Sequence, residues 1–265
     1  MYKNQSRIRN GSTTTRPTYL VVRSILFIIF AMSLFIISIA SAQEVYLQTG
    51  FEKDTVGKPP TDWEVQADSE MMEVSTEQVK TDNKSLGILG GAHDETIGVP
   101  IETDNPIISV EFWVYITSGG RSFNFKVVTS DNITDNNGGP YINWDAEKIQ
   151  FFDGKGWVHI DNFETETWKY VRVVADADKS EFEIYIGNDR NQALKDRGHD
   201  GLAFRNAAKN PTAKWVTFHV YSIVSPGYVD DLLIYEGSEP LNLDVDPKEK
   251  LATTWGNIKR TSVWQ

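Results

Sequence analysis

Short stretches in which polar and apolar residues alternate recur along most of this chain. Residues 169–174 and 181–186 show the pattern clearly. An alternation with a period of two is typical of strands that bury one face. Glycine, asparagine, aspartate and proline, which favour turns, separate these stretches. The sequence predicts strands at 44–49, 71–79, 85–89, 107–117, 122–130, 141–145, 148–152, 157–160, 168–175, 181–186, 214–221 and 227–235.

These strands predict an all-β domain that spans residues 43–236. Asp153-Gly154 is one of several pairs that supply the positive φ angle of a tight hairpin. A short helix could lie within 189–198, but too few helices exist to cover the faces of a parallel sheet. About a dozen short strands suit a two-sheet antiparallel jelly-roll sandwich. Residues 237–265 are polar and lack alternation, which predicts a loosely attached tail.

The amino terminus carries a targeting signal. Residues 1–23 contain basic but no acidic residues, and the apolar run 24–42 ends in a small-x-small pattern. This arrangement predicts a signal peptide over residues 1–42 that signal peptidase removes. The alternative is an uncleaved anchor helix, because the run approaches the roughly 20 residues that span a bilayer. In both cases the rest of the chain is exported, to the periplasm, the cell surface or the medium, and a membrane contact requires the uncleaved helix.

Charge and composition exclude several functions. The chain has 265 residues, with 26 basic residues, 37 acidic residues and no cysteine. Five of the basic residues precede residue 43, so residues 43–265 carry 21 basic and 37 acidic groups, a net charge of −16. Such a surface repels phosphate, so we expect no nucleic-acid partner. Without cysteine, disulfides, thiolate zinc sites and a cysteine nucleophile are excluded.

Four segments show strand-and-turn patterns in order along the chain: TGFEKDTVGKPPTDWEV, FFDGKGWVHIDNFETETWKYVRVVADADKSEFEIYIGN, LAFRNAAKNPTAKWVTFHV and PGYVDDLLIYEG. Together they resemble the concanavalin A-like lectin and glucanase jelly rolls, in the manner of bacterial laminin G-like domains. The likeness covers roughly residues 45–236 and implies two antiparallel sheets with ligand on a concave face or its rim. The superfamily includes lectins, carbohydrate-binding modules, glucanases, polysaccharide lyases and protein-binding domains, so the resemblance alone does not select a function.

The resemblance also implies a structural calcium ion that joins the two ends of the domain. Glu52 near the first strand and Asp230-Asp231 in the last strand match the carboxylates of such sites, and a backbone carbonyl near Lys84 would complete the ligand set. Calcium takes six to eight oxygen ligands, which mixed carboxylates and carbonyls can supply. Strict alternation would send Asp230 and Asp231 to opposite faces, so which of them binds stays open.

Aromatic residues in three consecutive predicted strands form the candidate ligand site. Alternation places Tyr141 and Asn143 on one face and Trp144 on the other, and Trp157 follows in the third strand. An exposed tryptophan beside an amide could stack on a sugar ring while the amide binds hydroxyl groups. We therefore expect a glycan ligand at Tyr141, Asn143, Trp144 and Trp157, although each ring could instead fill the core.

The sequence shows no intact catalytic set. Retaining glycosidases need two carboxylates about 5 Å apart, and the nearest candidates are the pairs Glu164/Glu166 and Glu181/Glu183. A lyase would need a base and a charge-neutralising group, for which His219 with Tyr221 and Arg205 are conceivable.

The leading hypothesis is an exported, non-catalytic module that binds a glycan or another cell-surface polymer. The alternatives are a polysaccharide hydrolase or lyase, and a laminin G-like domain that binds a cell-surface protein.

Overall fold

The computed structural model describes residues 43–66, 72–89, 95–117, 121–145, 147–196, 198–220 and 226–242. The candidate signal segment therefore lies outside the described residues. Within the described ranges, no helix has the length and apolar character needed to cross a membrane. The described part of residues 43–265 forms one compact unit of strands and a single short helix.

The strands are β1 (Val45–Thr49), β2 (Glu64–Gln66), β3 (Met72–Ser75), β4 (Ser85–Ile88), β5 (Glu95–Pro100), β6 (Ile107–Ile116), β7 (Arg121–Val128), β8 (Tyr141–Asp145), β9 (Lys148–Phe152), β10 (Trp157–Asn162), β11 (Lys169–Asp176), β12 (Glu181–Gly187), β13 (His199–Ala203), β14 (Trp215–Val220) and β15 (Gly227–Glu236). Helix α1 (Arg190–Lys195) lies between β12 and β13.

Two antiparallel sheets pack face to face. The first sheet has the order β13-β12-β11-β6-β15-β4-β3, and β1 also pairs with β15. The second sheet has the order β10-β9-β8-β7-β14-β5-β2. All pairings between these strands are antiparallel, and about half of the neighbouring strands are distant in sequence, which confirms the two-sheet antiparallel jelly-roll sandwich that the sequence predicts.

The core lies between the sheets and is rich in aromatic rings. The Phe112 ring of β6 lies 5.1 Å from Phe125, 6.1 Å from Trp144 and 5.8 Å from Phe218, centroid to centroid. All four rings are at most 1% exposed. Each belongs to the inward set of its strand, so alternation in the sequence determines which residues face the core.

Strand β5 is absent from the sequence prediction, as are β2 and β13. Gly98 and Pro100 weaken the strand pattern of β5, since both residues are unfavourable within a sheet. The structure explains Gly98: a Cβ there would lie 2.7 Å from Thr217 Cγ2 and 2.9 Å from the Val216 carbonyl oxygen. The short helix is confirmed, and Asp189 caps it by accepting a hydrogen bond from the Gln192 amide.

Strand β15 changes partner halfway along one edge. Residues 227–229 pair with β4 and residues 232–235 pair with β1, so a break lies between them at Asp230 and Asp231. The register with β6 shifts at the same point, and Asp231 has a φ of 49°. A bulge with one residue in the left-handed region breaks the strict alternation of the strand.

The beginning of the predicted tail is fixed to the first sheet. The Gly237 amide donates to the Ile107 carbonyl at 2.9 Å, and Ser109 Oγ donates to the Gly237 carbonyl at 2.7 Å. Arg190 donates to the carbonyl of Leu241 at 2.8 Å. Residues 237–242 therefore cover the outer face of this sheet, and residues 243–265 lie outside the described part of the chain.

Gly139→Ala tests how closely the loop 129–140 approaches β7. A Cβ at Gly139 would lie 1.7 Å from the Val127 carbonyl oxygen, whereas a Cβ at Gly156 meets no atom within 4 Å. We expect Gly139→Ala to lower the free energy of unfolding by about 1–3 kcal/mol, as overpacking does. Urea unfolding measures it, with Gly156→Ala as the matched control. Equal stability of the two variants would contradict the close approach.

Candidate functional site: the outer face of the second sheet

Polar side chains from five strands meet in one row across the outer face of the second sheet. In the register of the strands, His219 lies opposite both Thr96 and Asn124, and Asn143 lies opposite both Asn124 and Gln150. We call Thr96, His219, Asn124, Asn143 and Gln150 the polar row. Because directly opposed residues share a face, all five side chains project away from the core.

Hydrogen bonds connect this polar row from strand to strand. Thr96 Oγ1 and His219 Nδ1 are 2.8 Å apart. Asn143 Nδ2 donates to Asn124 Oδ1 at 2.8 Å, and Gln150 Nε2 donates to Asn143 Oδ1 at 3.0 Å. Amides that already hold one another in place lose little further side-chain entropy when a ligand binds.

A second row runs parallel to the polar row and contains Lys126, Tyr141, Phe152 and Trp157. Lys126 lies opposite Tyr141, and Phe152 lies opposite Trp157. The Trp157 ring is 5.3 Å from the Tyr141 ring and 5.3 Å from the Phe152 ring, centroid to centroid. We call Tyr141, Phe152 and Trp157 the aromatic cluster. Trp157 is its exposed member, with 44% of its surface accessible.

Arg205 covers two rings of the aromatic cluster. Its Cζ atom lies 5.0 Å from the Tyr141 ring centroid and 4.7 Å from that of Phe152, which is cation–π geometry. Its backbone is held from two sides. Its amide donates to the Gly139 carbonyl at 3.1 Å, and its carbonyl lies against Gly154, where a Cβ would come within 2.3 Å. The sequence placed Arg205 beside His219 as a lyase candidate, and both belong to this face.

The loop 129–140 closes one end of the face. Ile133 reaches across to Gly98 on β5, and Lys126 Nζ donates to Asn136 Oδ1 at 2.9 Å. An ion pair between Lys209 and Asp135 holds the loop to the neighbouring segment. Lys126, which the loop contacts, is buried, as is His219, while Trp157 at the other end of the face is exposed.

The structure brings together three of the four predicted ligand residues. Tyr141, Asn143 and Trp157 share the outer face, as alternation predicts for the first two. Trp144 does not reach it, because it points inward, is 1% exposed and packs against Phe112. Trp144 is therefore a core residue, and this part of the prediction is corrected. Tyr141 is also buried, at 2% exposed, so it supports Trp157 and Arg205 from below.

Other residues of this face were missed or weakly indicated by the sequence. The sequence does not single out Thr96, Asn124, Lys126 and Gln150, whose strands come from different parts of the chain. Thr96 and His219 are 123 positions apart, although their side chains are in contact. The detectable local signal is the pairing of β8 and β9, in which Asn143 faces Gln150.

The predicted catalytic candidates are not assembled into an acid pair on this face. Glu164 forms an ion pair with Lys169, and Glu183 accepts a hydrogen bond from Tyr185 at 2.6 Å on the first sheet. Burial and Glu183 together raise the pKa of Tyr185 to about 12. Burial, and then the charge of Lys126, lower the pKa of His219 to about 3, so its ring is neutral at pH 7. Tyr221 lies outside the described residues.

The bulge in β15 places two carboxylates side by side at the end of β1. Asp230 Oδ1 and Asp231 Oδ1 both lie within 4 Å of where a Cβ on Gly50 would be. Asp230 Oδ2 accepts from the amides of Lys80 at 2.9 Å and Thr81 at 3.0 Å. Burial and the neighbouring Asp231 raise the pKa of Asp230 to about 6, although these amides oppose the shift.

Glu52 does not join this pair in a three-carboxylate site. Glu52 Oε1 accepts from the amides of Asn83 and Lys84, both at 2.8 Å. Lys84 Nζ donates to the carbonyls of Glu52 and Asp54, both at 2.8 Å, so an ammonium group already neutralises this turn. Across the described ranges, no three acidic or histidine side chains form a group that could hold a metal. Glu52 and Asp230 thus bind amides at opposite ends of the segment 80–84, and the Asp230-Asp231 pair has the buried negative charge that suits a cation.

Comparisons with known proteins support the fold. The sequence matches no family model and no curated protein. Among solved structures, a chain described as a sialidase is similar with a TM-score of 0.54 at 11% identity, over 75% of this chain and 19% of that one. This chain thus spans about a fifth of the sialidase.

Two further similar structures have lower scores. Cellulose induced protein Cip1 has a TM-score of 0.48 at 10% identity, over 74% of this chain and 100% of that one. Domain 4 of AbnA, an extracellular arabinanase from Geobacillus stearothermophilus in complex with arabinotriose, has a TM-score of 0.43 at 15% identity, over 75% of this chain and 95% of that one.

His219→Gln tests the buried neutral imidazole. Because folding lowers the pKa of His219 from 6.5 to about 3, its contribution to stability is complete above pH 6.5 and is lost as the pH falls from 6.5 towards 3. We expect the wild type to lose about 2 kcal/mol more than His219→Gln between pH 7.5 and pH 5. Urea unfolding at both pH values measures this difference, and His159→Gln, at an exposed position of the edge strand β10, is the control. Identical losses in wild type and His219→Gln would contradict the assignment.

Proposed function

We propose that this protein is an exported glycan-binding module and that it binds its ligand on the outer face of the second sheet. The observation that supports the proposal is the combination of an exposed tryptophan with a row of mutually hydrogen-bonded amides on one face. Sugars present apolar ring faces and polar edges, so a site that recognises them needs an aromatic surface and fixed hydrogen-bonding groups. The basic stretch and apolar run before residue 43 support export.

In the proposed complex, a sugar ring stacks on Trp157. Its hydroxyl groups then lie over β9 and β8, where Gln150 and Asn143 are partly exposed. Each amide has both donor and acceptor atoms, so each can bind a hydroxyl group while keeping its bond within the polar row. The exposed end of the face thus binds the ligand, and the buried end at His219 holds the strands in register.

A binding role is favoured over catalysis by the placement of the acids and of His219. Glu164 and Glu183 have partners away from this face. His219 is 4% exposed and contacts Thr96, so its ring is shielded from solvent. A general base must reach the proton that it abstracts, which this buried position does not allow.

Trp157→Ala tests the stacking surface. Since aromatic anchors dominate binding, we expect a loss of about 2 kcal/mol, roughly 30-fold in Kd, for the best glycan found on an array. Isothermal titration measures the loss, and Val158→Ala, which removes an exposed apolar side chain on the opposite face of β10, is the matched control. The wild type is expected to release neither reducing ends nor unsaturated sugars.

Equal affinities of wild type and Trp157→Ala would exclude this face as the site. Release of sugars would replace the binding role with an enzymatic one. If the protein binds no glycan and releases no product, the laminin G-like role in protein recognition is favoured.

We also propose that a calcium ion binds at Asp230 and Asp231 and stabilises the contact between the first and last strands. Calcium at about 100 times its Kd adds about 2.7 kcal/mol to stability. For a domain of this size we expect a rise in Tm of about 5–10 °C relative to protein with chelator. Asp231→Asn should abolish the rise, and Glu52→Gln should preserve it because Glu52 Oε1 already accepts hydrogen bonds from the amides of Asn83 and Lys84. An unchanged Tm in the wild type would contradict the proposal.

A further inference from the structure

We propose that the glycan ligand is acidic, with a carboxylate that binds Arg205, and that its residues are therefore uronic acids. This inference rests on the proposed glycan-binding function and specifies the ligand class of that same site. It follows from the state of Arg205, which differs from that of the other arginines whose side chains the structure describes.

Arg205 has no acidic partner among the described residues. Arg190 binds Glu111 with its Nε atom at 2.8 Å, and Arg172 Nε lies 3.6 Å from the same carboxylate. Arg205 contacts the faces of Tyr141 and Phe152 instead. Residues 43–265 carry 37 acidic groups and 21 basic groups, and Arg205 differs in this respect from Arg172 and Arg190, the other two arginines whose side chains the structure describes.

The guanidinium of Arg205 keeps its donors available. A cation–π contact uses the face of the guanidinium plane and leaves its N–H groups at the edge. Within the described ranges, the hydrogen bond that Arg205 makes comes from its backbone amide to Gly139. A planar carboxylate can accept two parallel hydrogen bonds from this edge, which is a strong and directional contact.

Arg205 and the exposed tryptophan border the same rings. Trp157 and Arg205 each contact both Tyr141 and Phe152, so the two groups border the same pair of rings. A sugar that stacks on Trp157 can therefore direct a ring substituent towards the guanidinium. The carboxylate at C6 of a uronic acid is such a substituent, whereas the corresponding neutral sugar has a hydroxyl group there. The ammonium group of Lys126, 5.9 Å from the Tyr141 ring, adds positive charge near that ring.

The backbone around Arg205 is preorganised for this contact. Gly139 on one side and Gly154 on the other hold residue 205 between the loop 129–140 and the hairpin that joins β9 to β10. Asn206 Nδ2 donates to Asn137 Oδ1 at 2.6 Å, which fixes the next residue as well. A cation that is already held in place loses little conformational entropy when a ligand binds, so more of the energy of its contact with a carboxylate appears as affinity.

The test compares uronic-acid polymers with their carboxyl-reduced forms, which differ only in the charged group. The panel contains galacturonan, glucuronan and mannuronan, and isothermal titration with the purified full chain measures Kd. We expect at least one uronan to bind about tenfold or more tightly than its reduced form, the range of a charge-assisted hydrogen bond. Arg205→Gln should lose that preference. Arg205→Lys, which keeps the charge but not the paired donors, should retain part of it.

The controls separate this inference from the proposed function. Lys195→Gln makes the same change in net charge on helix α1, beside the other sheet, and should bind like the wild type. Thermal melting confirms that each variant is folded, and the comparison of the two ligand forms needs no variant at all. Equal binding of charged and reduced polymers, or an unchanged preference in Arg205→Gln, would overturn the acidic-ligand assignment while the glycan-binding function stands. Binding of neutral glycans without binding of any uronan would also overturn the acidic-ligand assignment alone. Absence of all glycan binding would overturn both this assignment and the glycan-binding function.

Discussion

The break in strand β15 is the constraint on which the first sheet depends. One edge of this strand pairs first with β4 and then with β1, so the first and last strands of the domain meet beside this break. Between β4 and β1, the backbone of β15 has no neighbouring strand along this edge. The side chain of Asp230 provides the missing contact, because it accepts hydrogen bonds from the amides of Lys80 and Thr81. The positive φ of Asp231 is the conformational cost of that arrangement.

The second sheet is stabilised across its width in a different way. Its inner face contributes Phe125, Trp144 and Phe218 to the core, and its outer face holds the strands through side-chain hydrogen bonds. Buried polar groups are tolerated only when they are bonded. The amides of the polar row meet that requirement from within the sheet, and in the proposed function its open end binds a ligand without rearrangement.

Local alternation in the sequence is enough to predict most strands and to assign Tyr141 and Trp144 to opposite faces. It cannot reveal which strands become neighbours, so Thr96 and Asn124 gave no signal although both lie next to His219 in the sheet. It fails at β5 because Gly98 is selected for its small size against Thr217. At the β15 bulge it fails because one extra residue reverses the faces, which no periodicity within the strand can encode.

The two outer faces differ in how their charges are satisfied, and this difference supports the proposed ligand site. On the first sheet, Glu111 accepts hydrogen bonds from Arg190 and Tyr235, and residues 237–242 cover the surface beside them. The charge of Glu111 is neutralised within the protein, so a ligand at this position would have to displace existing bonds. On the second sheet, Arg205 is held by rings that cannot neutralise it, beside an exposed tryptophan. The neutralising group must then come from solvent or from a ligand, and a ligand that also stacks on Trp157 has the advantage of two contacts from one sugar.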